Sequence, residues 1–92
     1  DFSMKLKEGV VLHFNGEKYI ALTTGNAAKN FNGITYSNST GNFIMNLLLN
    51  EDISELEIIQ AVTKKYDVNS VTAGKDVHRF LENLRHIGIL DE

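Results

Sequence analysis

Gly9-Val-Val-Leu-His-Phe14, Asn15-Gly16 and Lys18-Tyr-Ile-Ala-Leu-Thr23 read as strand, turn and strand. Alternation puts Val10, Leu12 and Phe14 on one face of the first run and Val11 and His13 on the other. Asn-Gly between two such runs is a strong hairpin signal, because tight primed turns need a positive φ. Residues 25–30 (Gly-Asn-Ala-Ala-Lys-Asn) read as a loop. Phe31-Asn-Gly-Ile-Thr-Tyr-Ser37 reads as a third, shorter strand, with Ile34 and Tyr36 on one face and Gly33 as a candidate bulge.

After residue 38 the pattern changes from period two to helical. Ser39 or Thr40 can cap a first helix ending near Leu49, with Phe43, Ile44, Leu47 and Leu48 as its apolar stripe. Ser54-Glu-Leu-Glu57 is a capping box, with Ile53 and Ile58 placed as a hydrophobic staple. It opens a second helix whose core side is Ile58, Ile59, Val62 and Tyr66. Asp67-Val68-Asn69 makes a turn. A third helix then runs from about Ser70 to Ile87, with Val77, Leu81 and Leu84 inward. Gly88 is placed as its left-handed cap, and Ile89 and Leu90 as an apolar anchor folding back. Phe43 and Leu84 are expected in the core.

Three strands followed by three helices predict an α+β fold, a three-stranded antiparallel sheet followed by a three-helix bundle in a winged helix-turn-helix-like arrangement. The 92 residues form a single expected domain, 1–92, with residues 1–4 as a flexible or appended tail ahead of, or including, a natural start at Met4. With 42% hydrophobic and 23% charged residues, the composition is that of a globular domain and not a disordered one. No cysteine is present, which excludes disulfide staples, thiol nucleophiles and cysteine-held zinc or iron–sulfur centres. No apolar run approaches the roughly 20 residues of a spanning helix, and no secretory signal opens the sequence, so a cytoplasmic location and no membrane partner are expected.

The inventory for chemistry is sparse. His78, Glu82 and His86 form an i, i+4, i+8 stripe, but its outer members lie about 12 Å apart along a helix axis and cannot share one ion. Ser54, and Ser39 or Ser70, are explained as helix caps, and no G-x-S-x-G or phosphate-loop pattern occurs. Neither catalytic residues, nor a metal, nor a cofactor is expected. Lys75 and Arg79, with Arg85 further on, give the third helix a local anion-facing surface on a chain of net charge −3. Tyr36 and Phe80 are the aromatic residues that suit either a core or a ligand role.

The ordered set of motifs resembles the PqqD family, named for the small protein of pyrroloquinoline quinone biosynthesis. Asn38-Ser-Thr-Gly41 is similar to the N-x-T-G that opens its first helix, Ile58-Ile59…Tyr66-Asp67-Val68 to its second, and Asp76-Val77…Phe80-Leu81…Leu84…Gly88-Ile89-Leu90 to its third. The likeness covers about residues 6 to 91. Ser37 departs from it, since the family commonly has leucine before that asparagine.

The resemblance implies a RiPP recognition element: a non-catalytic peptide chaperone that binds the leader of a ribosomally made precursor peptide. Such a domain presents the leader to a modifying enzyme, such as a radical-SAM protein or a leader peptidase. The leader adds as a strand to the third strand, against the third helix. On this sequence that site is Ile34, Thr35, Tyr36, Ser37, Lys75, Asp76, Arg79, Phe80 and Asn83. Phe80 is the expected apolar anchor, and Lys75 and Arg79 would favour acidic residues in the leader. The alternatives are a winged-helix DNA-binding regulator, disfavoured by the acidic charge, and a dimerisation or scaffold module.

Overall fold

A computed structural model describes residues 2–24, 34–36 (backbone alone) and 39–92. Strand β1 (Ser3–Leu6) precedes β2 (Val10–Phe14), β3 (Tyr19–Thr23) and β4 (Ile34–Tyr36). Helix α1 (Ser39–Asn50), β5 (Ile53–Ser54), α2 (Glu55–Tyr66), α3 (Ser70–Ile87) and β6 (Leu90–Asp91) follow. The α+β class, the hairpin with a third strand and the three helices are as expected. The loop at 25–30, the candidate bulge at Gly33, and Phe31 and Ser37 fall outside the described residues.

Two antiparallel sheets are present among the described residues, β2-β3-β4 and β5-β1-β6. The second was not anticipated. Met4 pairs with Ile53, and Leu6 with Leu90. The tail expected at residues 1–4 is therefore corrected: Ser3 and Met4 are strand, and Met4 is 2% exposed. Met4 and Leu6 face inward while Lys5 faces out, so even a four-residue strand buries one side. Ile89 and Leu90 do fold back, 1% and 8% exposed, and the Lys7 N–H donates to the Ile89 carbonyl at 2.9 Å.

In the β2–β3 hairpin Gly16 takes φ 94°, open to glycine, and Asn15 flanks the turn. Its Oδ1 accepts from the N–H groups of Glu17 at 3.0 Å and Lys18 at 2.8 Å.

Helix α1 buries Gly41, Ile44, Met45 and Leu48. Phe43 and Leu47 are only half-buried at the core's edge, which corrects the placement of Phe43 in the core. Because α1 packs on β1 as well as α2, its buried side is rotated toward Met45. Phe43 instead meets Tyr66 edge-on at 5.9 Å, with Lys65 Nζ 5.4 Å from its ring centre.

Helix α2 starts with both halves of its capping box formed. Ser54 Oγ accepts from the Glu57 N–H at 3.1 Å, and the Ser54 N–H donates to Glu57 Oε1 at 3.0 Å. The Ser54 backbone N–H, and then its hydroxyl, hold the Glu57 carboxyl below the usual carboxylate range. Ser54→Ala is expected to cost about 1 kcal/mol in urea unfolding near neutral pH. Because the folded state lowers this pKa, the ionised cap contributes fully above the unfolded value and is lost as pH falls through the folded one. Glu57→Gln should therefore differ from the wild type at neutral pH and converge with it in acid. A stability gap independent of pH would contradict this.

Asp67 at φ 51° ends α2, and Asn69 Oδ1 caps α3 by accepting from the Thr72 N–H at 2.8 Å. Gly88 closes α3 at φ 91°, its N–H donating to the Leu84 carbonyl at 2.9 Å. Ala73, Val77, Leu81 and Leu84 of α3 meet Ile58 and Val62 of α2 in one core. No helix among the described residues is long and apolar enough to cross a membrane.

Candidate functional site

The backbone pairing of the larger sheet shows which groups its edge offers. The Asn15 N–H donates to the Lys18 carbonyl, and the Thr24 N–H to the Gly9 carbonyl. In an antiparallel ladder hydrogen-bonded pairs alternate, so 11 with 22 and 13 with 20 are also bonded pairs. Ile20 and Leu22 thus turn their backbone groups toward β2, while Tyr19 and Ala21 turn theirs toward β4. Tyr36 lies opposite Tyr19, Thr35 opposite Ile20 and Ile34 opposite Ala21. It follows that Ile34 and Tyr36 spend their backbone groups on β3, and Thr35 directs its N–H and C=O to the outer edge. No described strand pairs with that edge.

Chain connectivity ties this edge to the helices. Three Cα steps separate Tyr36 from Ser39, so the end of β4 lies within about 11 Å of the start of α1. That start is anchored by the Tyr66 hydroxyl, which donates to the Ser39 carbonyl at 3.2 Å. Between the first turn of α1 and α3 opens a cleft of about 400 Å³ lined by Thr40, Gly41, Ile44, Asp76, Arg79, Phe80 and Asn83.

Four of the nine expected residues, Asp76, Arg79, Phe80 and Asn83, thus line one cleft. Ile34, Thr35 and Tyr36 form the edge strand β4, which ends three residues before α1 begins. Lys75 is exposed on α3 but does not line the cleft, and Ser37 is outside the described residues. Phe80 is half-buried: it packs against the core and lines the cleft as well. Among the described residues, neither Lys75 nor Arg79 has a carboxylate within ion-pair distance.

Sequence reasoning missed Thr40, Gly41 and Ile44. Gly41 carried a usable signal: glycine in the first turns of a helix costs up to about 1 kcal/mol against alanine, and here it is buried against the cleft.

Arg85 does not belong to the anion-facing surface. Its guanidinium bonds Glu82 at 2.6 Å and both Glu92 oxygens at 3.1 and 3.0 Å, which raises its pKa further. On α3 Lys75 and Arg79 then remain as the lysine and arginine side chains to meet a polyanion, which weakens the DNA-binding alternative with that helix in the groove. His78 is drawn off its stripe by Glu55, Nδ1 lying 3.1 Å from Oε2.

No curated protein sequence matches the chain. Among solved structures, one described as "TbiB1 in Complex with the TbiA(beta) Leader Peptide" is similar with a TM-score of 0.74 at 23% identity, covering 95% of this chain and 94% of that one. A second, "Lasso peptide synthetase B1 complexed with the leader peptide", is similar with a TM-score of 0.69 at 19% identity, over 97% of this chain and 98% of that one. At these identities the likeness establishes the fold. The model of the family "Coenzyme PQQ synthesis protein D (PqqD)" matches residues 30–90, which takes in β4, all three helices and every residue of the cleft, and the chain belongs to the PqqD family.

Proposed function

We propose that this chain is a non-catalytic, cytoplasmic peptide chaperone. It binds the leader of a ribosomally made precursor peptide by strand addition to β4 and presents it to a modifying enzyme, such as a radical-SAM protein or a leader peptidase. The observation that carries the reading is the outward N–H and C=O of Thr35, on an edge strand whose end is three residues before the first turn of α1, and that turn lines the α1–α3 cleft. Main-chain bonds supply affinity whatever the peptide's sequence, and the cleft supplies selection. Half-buried Phe80 offers an apolar seat, Arg79 a cation for acidic leader residues, and Asp76 and Asn83 further polar contacts. The two leader-bound structures that share this fold add support.

Amide-shift mapping of labelled protein with the synthetic leader of its cognate precursor peptide tests the reading. Shifts at Thr35, Tyr36 and Arg79 to Asn83 are expected. Shifts confined to the β2–β3 hairpin would place the site on the wrong face.

A further inference from the structure

Helix α3 carries a second polar surface. At about 100° per residue, His78, Glu82 and Arg85 lie on the side roughly opposite Asp76, Arg79, Phe80 and Asn83. Here Glu82 and Glu92 bond Arg85, and Glu55 approaches it at 3.9 Å with one oxygen and His78 with the other. Three carboxylates surround one guanidinium, so negative charge is in excess. Residues 51–57 add to it: Glu51, Asp52, Glu55 and Glu57 come with no basic residue between them.

Beside this cluster is an open cleft of about 430 Å³ lined by Phe2, Leu56, Glu55, Arg85 and Glu92, among others. Phe2 is 89% exposed and Leu56 63% exposed. Leu56 lies in the first turn of α2, where the capping box needs only Ser54 and Glu57. Two large apolar side chains standing in water beside an acidic floor match one kind of surface. Lysine and arginine stems can cover Leu56 and Phe2 while their charged heads reach Glu55 and Glu92.

We infer that this cleft docks a partner protein presenting lysine or arginine side chains around an aliphatic residue. Resting on the proposed function, that partner is the modifying enzyme. Peptide and enzyme then occupy opposite sides of α3 at the same time, and neither has to leave for the other to bind.

The test uses labelled full-length protein and a short capped peptide of lysines around one central leucine, with its glutamate counterpart as control. The cationic peptide is expected to shift Ser54 to Leu56, Arg85 and Glu92, with affinity falling as salt rises. Leu56→Ser combined with Glu92→Lys removes an exposed leucine and the surface ion pair of Arg85 with Glu92, which contributes little to stability, so melting should change little while this affinity drops about tenfold or more. Leader binding at β4 should survive in that variant. Equal shifts with both peptides, or cationic shifts at β4 and Phe80 instead, would overturn the inference. So would a dimer in sedimentation that the double variant disperses, since the face would then belong to a second copy. Cationic shifts at Leu56 and Glu92 in a protein that ignores the leader would support this surface and count against the proposed function alone.

Discussion

Leu84→Ala is expected to lower the free energy of unfolding by about 3 kcal/mol, within the 2–5 kcal/mol range for buried leucine truncation. Leu84 is 1% exposed on the inward side of α3, among Val77, Leu81 and the α2 residues Ile58 and Val62. Its loss leaves a cavity that the neighbours close only in part. In a domain this small, about 3 kcal/mol is a large share of total stability and should lower the melting temperature by roughly 12–24 °C. Arg79→Ala, on the exposed side of the same helix, should stay within about 0.5 kcal/mol of wild type. Urea unfolding of the two variants checks both. An unchanged midpoint for Leu84→Ala would show that this part of α3 is not seated in the core.

The contrast between these two positions was readable in the sequence because α2 and α3 announce themselves locally. Ser54 with Glu57, and Gly88, are caps whose partners are within four residues, and the apolar spacing between them sets the inward side; at the start of α3 the cap is Asn69, one residue before the Ser70 offered for that role. The smaller sheet had no such local signal. β5 and β6 are two residues each, and β1 finds its partners at residues 53–54 and 90–91. A four-residue alternation with serine and lysine at every second place reads as a tail until those distant strands are known. The same absence misplaced α1: with β1 unseen, Phe43 was assigned the burial that Met45 holds.

The candidate site divides along the same line. Phe80 and its neighbours were legible from helical spacing, since they share one helix. Thr40, Gly41 and Ile44 were not, because which turn of α1 meets α3 is decided by packing between distant elements. Arg85 shows the converse error. As a letter it is a cation on an exposed helix end, and only the return of the chain to Glu92 reveals that its charge is already matched.

Thr35→Pro is expected to weaken leader binding about tenfold or more while leaving the fold intact. Proline has no N–H, so in a central strand it removes a ladder bond and is not tolerated. At residue 35 the N–H points away from β3, as the alternation of bonded pairs from Asn15–Lys18 outward requires, and β4 is the edge of its sheet. The variant therefore breaks no bond between the described strands. It removes one main-chain donor from the docking edge and adds a ring where the incoming strand must approach. One hydrogen bond is worth roughly 1 kcal/mol, and the steric term adds to it, which together reach the tenfold step of about 1.4 kcal/mol. Thr35→Ala keeps the N–H and should bind the leader nearly as the wild type does. Calorimetric titration of both variants, with melting curves alongside, separates the cases. Equal losses in the two would assign the effect to the threonine side chain, and unaltered affinity in Thr35→Pro would rule out strand addition at β4.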